Sequence, residues 1–109
     1  MRRLMAEYKR GAERRHLEFS LKEDEFRELT SLNCHYCGSP PSLVSKIEDS
    51  IVSPYLYNGL DRVDNLLGYT RNNVVPCCKT CNGAKSDLTA EEFFGWIDRI
   101  IARRLTKGG

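Results

Sequence analysis

A chain of 109 residues with 29% charged side chains, 40% hydrophobic ones and a net charge of +2 suits one small domain and cannot build a large core. No stretch approaches the roughly 18 apolar residues of a membrane span. The basic start MRRLMAEYKRGAERR has no apolar segment behind it, so neither a membrane protein nor a secretory leader is expected.

The first sixteen residues carry Arg2, Arg3, Lys9, Arg10, Arg14 and Arg15 against Glu7 and Glu13. Residues 1–15 read as a basic helix, interrupted at Gly11 and without a strong apolar stripe, so it is expected to fray or to order on a partner. Residues 16–109 are expected to form the domain proper. HLEFSL (16–21) alternates as a short extended piece. Ser20 and Glu23 have capping-box spacing and predict a helix to about residue 32, with Leu21, Phe26 and Leu29 near one face.

Residues 38–55 hold three prolines and read as loop with a short strand or two. YLYNGLDRV predicts a strand bent at Asn58–Gly59, and NNVVP a second strand ending at Pro76. CKTCNGAKSD predicts one or two helical turns. Thr89 with Glu92 repeats the capping-box spacing and starts the strongest predicted helix, about 90–105. Its stripe of Phe93, Phe94, Ile97, Ile100 and Ile101 lies beside Trp96. Phe93, Phe94 and Trp96 are read as core, and the same stripe would serve a homodimer; monomer and homodimer both remain open. The tail adds Arg99, Arg103, Arg104 and Lys107, so two basic ends flank a mixed middle, a pattern that suits a polyanion and equally a solvated helix face.

Cys34-His-Tyr-Cys37 and Cys78-Lys-Thr-Cys81 are two C-x-x-C pairs. A two-residue spacer lets one tight turn direct both sulfurs at one ion, and two such turns complete a tetrahedral zinc site with Zn–S about 2.3 Å. A disulfide framework would need an oxidising compartment and leaves Cys77 over. The cytoplasm, with its thiols reduced, is the expected location. Cys77 is read as a small core residue and His35 as exposed or capping. Binding of structural zinc is folding free energy, on the order of 10 kcal/mol.

Between the pairs, NGLDRVDN, then GY, then NNVVPCCKTCNGAK resembles the HNH (ββα-metal) endonuclease family, in its zinc-stapled branch with phage-encoded members. The resemblance covers about residues 34–85. It implies an α+β fold, with a ββα-metal unit at about 55–86 stapled by the zinc knuckles and flanked by helices. It also implies a Mg²⁺- or Mn²⁺-dependent endonuclease acting on DNA, encoded by a bacterium or phage. Asp61 takes the family's carboxylate position and Asn82 the position at the start of the helix, together holding the catalytic ion. Asn73 matches the asparagine that ties the hairpin loop, and Lys85 is placed at a phosphate or in solvent.

Where the family carries the histidine that deprotonates water, this chain has Arg62. A guanidinium, with a pKa above about 12, is no general base near neutrality. Three readings stand: Arg62 grips the phosphate while metal or another base (Asp64, or more distantly His35) activates water; Arg62 only balances Asp61 and Asp64 in a degenerate zinc-containing DNA-binding module; or the three form a surface ion cluster.

Overall fold

The computed structural model describes residues 1–45 and 55–106. Eight elements follow in chain order: α1 (Arg2–Arg14), α2 (Glu23–Thr30), β1 (Leu43–Ser45), β2 (Tyr55–Tyr57), β3 (Gly59–Arg62), β4 (Val74–Cys77), α3 (Lys79–Lys85) and α4 (Ala90–Thr106). β1 pairs antiparallel with β2, and β3 antiparallel with β4. The chain is therefore an α+β fold, a β3–β4 hairpin followed by α3, with helices around it. The predicted bend at Asn58 is the break between β2 and β3. The remainder of the loop expected over 38–55, residues 46–54, lies outside the described residues.

Strand alternation divides the hairpin's two faces. Gly59 is opposite Cys77, Leu60 opposite Pro76, Asp61 opposite Val75 and Arg62 opposite Val74. Leu60 and Val74 therefore point to one side, where Leu4, Ala12, Leu21, Phe26, Leu29 and Tyr69 complete an apolar core. Asp61 and Cys77 point to the other, where Cys77 joins Cys34 and Cys78 in a second, smaller cluster.

Helix α1 departs from expectation, because it is part of the first core. Met1, Leu4 and Ala12 are buried, and Met5 and Tyr8 pack against them. These positions recur at helical spacing, but tyrosine and alanine are weakly apolar and the stripe is faint in the sequence. Tyr8 lies edge-on to Phe26 and Tyr69, at centroid distances of 5.5 and 5.7 Å, and its hydroxyl accepts the Leu60 N–H at 3.3 Å. The extended piece at 16–21 is reduced to one bridge, Phe19 beside Tyr69. There the Tyr69 N–H reaches Glu18 O at 2.8 Å, so close that a β-carbon on Gly68 would run into the Glu18 backbone.

The Ser20–Glu23 capping box is not formed. Helix α2 is capped two residues later: Lys22 is its N-cap, and the Glu25 carboxylate accepts the Lys22 N–H at 2.8 Å. Acidic Glu23, Asp24 and Glu25 fill the first turn, where the helix dipole favours them. The second box does form: Glu92 N–H donates to Thr89 Oγ1 at 3.1 Å and Thr89 N–H to Glu92 Oε1 at 2.9 Å. Helix α4 differs from expectation in its packing. Phe93 is buried, but Phe94 and Trp96 are 46% and 39% exposed, so they are not core residues.

Candidate functional site

The loop after α2 and the end of β4 bring four sulfurs together. The Cys34–Cys37 turn is closed by the Gly38 N–H on Cys34 O at 2.9 Å, with Gly38 at φ +80°, a conformation glycine adopts without penalty. The His35 N–H on Pro76 O, 2.8 Å, docks that turn against β4. Cys78 caps α3, its sulfur accepting the Cys81 N–H. The ligand atoms of Cys34, Cys37, Cys78 and Cys81 all lie within 4.8 Å of one another, and Cys37 Sγ is 3.6 Å from Cys78 Sγ.

This donor set fits zinc: four soft sulfurs, from two turns, converging on one point. Burial raises the Cys34 thiol, but backbone N–H groups of Cys78, Cys37 and Tyr36 outweigh it and bring the pKa down from 9.0 to about 6. Cys81 moves the other way, pushed up by burial and by the neighbouring thiols. Four thiolates cannot share so small a space without a cation. Cys77, fully buried and pushed up to about 12 by burial, packs against Cys34 and Cys78 as a small core residue. His35 is exposed, edge-on to Tyr36.

Behind this centre lies a charged group that is almost wholly enclosed. Asp61, 5% exposed, points from β3 toward α3. Lys85 Nζ, fully buried, is 3.1 Å from Asp61 Oδ2 and 3.4 Å from Oδ1. The Tyr36 hydroxyl donates to Asp61 Oδ2 at 2.8 Å. Burial, and then this bond to a carboxylate, raise the Tyr36 pKa well above the ordinary phenol value, so the hydroxyl stays a donor. Lys85 is thus neither at the surface nor solvated. Tyr36 is a member of the group that the sequence reading passed over. Its only signal there was a position between two presumed metal ligands.

Asn82, one turn before Lys85 on α3, is exposed and lines a groove of about 360 Å³ with Tyr8, Tyr57, Gly59, Cys77 and Lys79. The α3 residue that touches Asp61 is therefore Lys85, and Asn82 sits beside Gly59, two residues back on the same face of β3. Arg62, next in sequence to Asp61, points to the opposite face. Its NH1 donates to Asn65 O at 2.6 Å and Leu67 O at 3.0 Å, and its guanidinium lies 5.6 Å from the Tyr69 ring centroid. Arg15 donates to the hydroxyl of the same tyrosine at 3.0 Å.

Asn73, nearly buried, binds the loop between β3 and β4. Its Oδ1 accepts the Asp64 N–H at 2.9 Å, and its Nδ2 donates to Asp64 O at 3.0 Å and Gly68 O at 2.9 Å. Asp64 is exposed, and its Oδ1 accepts the Leu66 N–H at 2.9 Å. Asp64 and Arg62 both belong to this loop framework rather than to the enclosed Asp61 group.

A two-stranded hairpin, a following short helix and a four-cysteine centre beside them make an α+β fold that is similar to that of an HNH endonuclease of known structure. A solved structure of the rare-cutting HNH restriction endonuclease PacI superposes with a TM-score of 0.58 at 19% identity, over 94% of this chain and 78% of that one. An uncharacterized protein of Acanthamoeba polyphaga mimivirus is 37% identical over 86 residues. That match takes in 79% of this chain, which spans 14% of the viral protein's length. No protein-family model matches the sequence. Among the described residues, no helix is long and apolar enough to cross a membrane.

Proposed function

We propose that this chain is a divalent-metal-dependent endonuclease that hydrolyses DNA phosphodiester bonds, with a structural zinc on Cys34, Cys37, Cys78 and Cys81. One observation carries the reading. A carboxylate, Asp61, is enclosed where β3, the Cys34–Cys37 turn and α3 meet, and Tyr36 and Lys85 hold it there. Burying a charge on this scale is costly unless it is paired, and here Lys85 supplies the pairing. The likeness of the fold to PacI, a rare-cutting HNH restriction endonuclease that perturbs DNA, supports the same class of reaction.

By the resemblance, the catalytic ion, Mg²⁺ or Mn²⁺, would be held by Asp61 and Asn82, which requires the Asp61 carboxylate to leave Lys85 and turn toward the groove that Asn82 lines. One carboxylate, one amide oxygen and several waters make a donor set that suits these hard ions. When bound, the ion would polarise the phosphate and stabilise the leaving oxygen. As Asp61 stands, the Lys85 ammonium neutralises it, so Lys85 and a divalent ion compete for one carboxylate. Asn73 shapes the loop that carries Arg62 and Asp64. Arg62 braces that loop through NH1, which leaves the rest of its guanidinium for a phosphate; Asp64, exposed two residues further along the chain, is the proposed carboxylate for activating water. The basic residues of α1 would extend the contact with DNA, mostly to phosphates, with binding that weakens steeply as salt rises. Four thiols kept free for an ion suit a reducing compartment, so the cytoplasm is the proposed location, in a bacterial or phage setting.

A second reading has its own support: with Arg62 in the histidine position and Asp61 occupied by Lys85, the domain would bind DNA without cutting it. Supercoiled plasmid with Mg²⁺ or Mn²⁺, and EDTA as control, separates the two. Nicked or linear product that disappears in Asp61→Asn, with zinc content unchanged, supports the enzyme. A mobility shift without nicking under every metal tried leaves only the binding role.

A further inference from the structure

Helix α1 lines a pocket of about 370 Å³ with Glu7, Tyr8, Arg10, Gly11, Arg14 and Arg15. Leu4 and Ala12 bury the helix against the core, so these groups stand on a docked element and not on a frayed end. Gly11 lets two guanidiniums share one place. A terminal nitrogen of Arg15 lies 3.6 Å, and one of Arg14 3.7 Å, from where a β-carbon on Gly11 would sit. Like charges this close repel, and an anion beside them relieves the repulsion.

No carboxylate of the chain does so. Glu7 lines the same pocket, yet the ion pairs among the described residues are Arg2–Glu23, Arg71–Glu28 and Lys85–Asp61. Arg15 is held in position all the same: its Nε donates to Gly11 O at 3.1 Å and a terminal nitrogen to the Tyr69 hydroxyl at 3.0 Å. Tyr69 carries the arrangement on to the hairpin. The guanidiniums of Arg15 and Arg62 lie 5.9 and 5.6 Å from its ring centroid. Arg62 uses one nitrogen on Asn65 O and Leu67 O and keeps the others.

We propose that Arg10, Arg14, Arg15 and Arg62 form one phosphate track. The pocket over Gly11 takes a backbone phosphate of a nucleic-acid strand between Arg14 and Arg15, and Arg62 takes a further phosphate of the same strand. A planar guanidinium grips phosphate oxygens two at a time, which suits both positions. A free small anion needs the pocket alone; the arginine beyond it, joined through Tyr69, favours a polymer whose phosphates repeat. α1 lies outside the stretch of about 34–85 that resembles the nuclease family, and Arg62 points away from Asp61, so the track is separate from the proposed ion site. The choice of polymer rests on the nucleic-acid part of the proposed function; the grip does not depend on cutting.

Anisotropy of a fluorescent DNA duplex tests this, on the zinc-loaded chain over a range of salt with no Mg²⁺ or Mn²⁺ added. Arg10→Gln and Arg14→Gln, which remove no bond of the free chain, should each lower the slope of log affinity against log salt by about one. Gly11→Leu keeps every charge but fills the pocket, and should lower the slope in the same way. Arg99→Gln with Arg103→Gln, the same charge removed from α4, should leave it unchanged. Zinc stoichiometry and helix content should stay constant throughout. Slopes indifferent to the three α1 variants, or lowered equally by the α4 pair, overturn the track. Inorganic phosphate that binds more tightly than the duplex overturns the assignment to a backbone. A chain that nicks plasmid with Mg²⁺ or Mn²⁺ while the α1 variants bind unchanged loses the track and keeps the nuclease; slopes that fall as expected, with no nicking under any metal, keep the track and remove the nuclease.

Discussion

The two faces of the β3–β4 hairpin are filled by opposite means. On the side of Leu60 and Val74, aromatic and aliphatic side chains from α1, α2 and Tyr69 close a core with no ion in it. On the side of Asp61 and Cys77, the filling is four thiols, one further cysteine, a lysine, a carboxylate and a phenol. Neighbouring residues of one strand thus serve two environments. Leu60 gains free energy by leaving water, whereas Asp61 must be neutralised to leave it. A small chain can afford the second face only if something other than apolar burial holds it, and the four-sulfur centre is suited to that.

The largest expected effect comes from breaking the comparison at the metal. Chelation, or Cys78→Ser, removes a contribution on the order of 10 kcal/mol, comparable with the whole stability of a small domain. Hydrogen exchange should show β4, α3 and the Cys34–Cys37 turn losing protection before α1 and α2. Acid acts in the same direction. The Cys34 pKa is depressed from 9.0 to about 6 in the fold, so the stability it contributes is complete above 9, declines as pH falls and is gone below about 6. Zinc release followed by a thiol or zinc dye should set in where protons displace the ion from the four thiolates, below the window of the free Cys34 thiol. Equal loss of protection on both faces would show that the two are one cooperative unit.

The apolar face is broken most sharply at Phe26, which is fully buried between Tyr8 and its neighbours. Phe26→Ala should cost about 3–5 kcal/mol, read from urea unfolding. Below the unfolding midpoint the protein should still hold zinc at full stoichiometry, since no cysteine touches that site. Loss of zinc from the folded variant would mean that the metal face depends on the apolar one.

The two faces were not equally legible in the sequence. The four cysteines were readable because a metal imposes a spacing, and the β3–β4 pairing because Asn58–Gly59 and the turn around Gly68 mark its ends. The role of α1 was hidden, since Tyr8 and Ala12 bury area without reading as strongly apolar. Ser20–Glu23 had the right spacing for a cap, but the chain between 18 and 20 is committed to Tyr69 through backbone hydrogen bonds, and the cap moved to Lys22 and Glu25. Phe94 and Trp96 were misplaced because a stripe says only that a helix has an apolar side, and on α4 most of that side faces outward. The Lys85–Asp61 pair joins residues 24 apart, and no local pattern announces a long-range ion pair.

The smallest expected effect tests the joint between the metal centre and the carboxylate. Tyr36 belongs to both: its backbone lies between two zinc-suited cysteines, its ring packs against Phe93 at 5.4 Å and His35 at 5.0 Å, and its hydroxyl ends on Asp61. Tyr36→Phe keeps the ring and removes only the donor. Asp61 then retains Lys85 as its one charged partner, and the loss should be about 1–2 kcal/mol, the range for a hydrogen bond to a charged group. Zinc stoichiometry should not change, because ring packing and the turn are preserved. If zinc content falls instead, the hydroxyl is holding the cysteine turn in place and Asp61 is its anchor. If stability is unchanged, Lys85 alone neutralises Asp61, and the two clusters on this face are neighbours without being coupled.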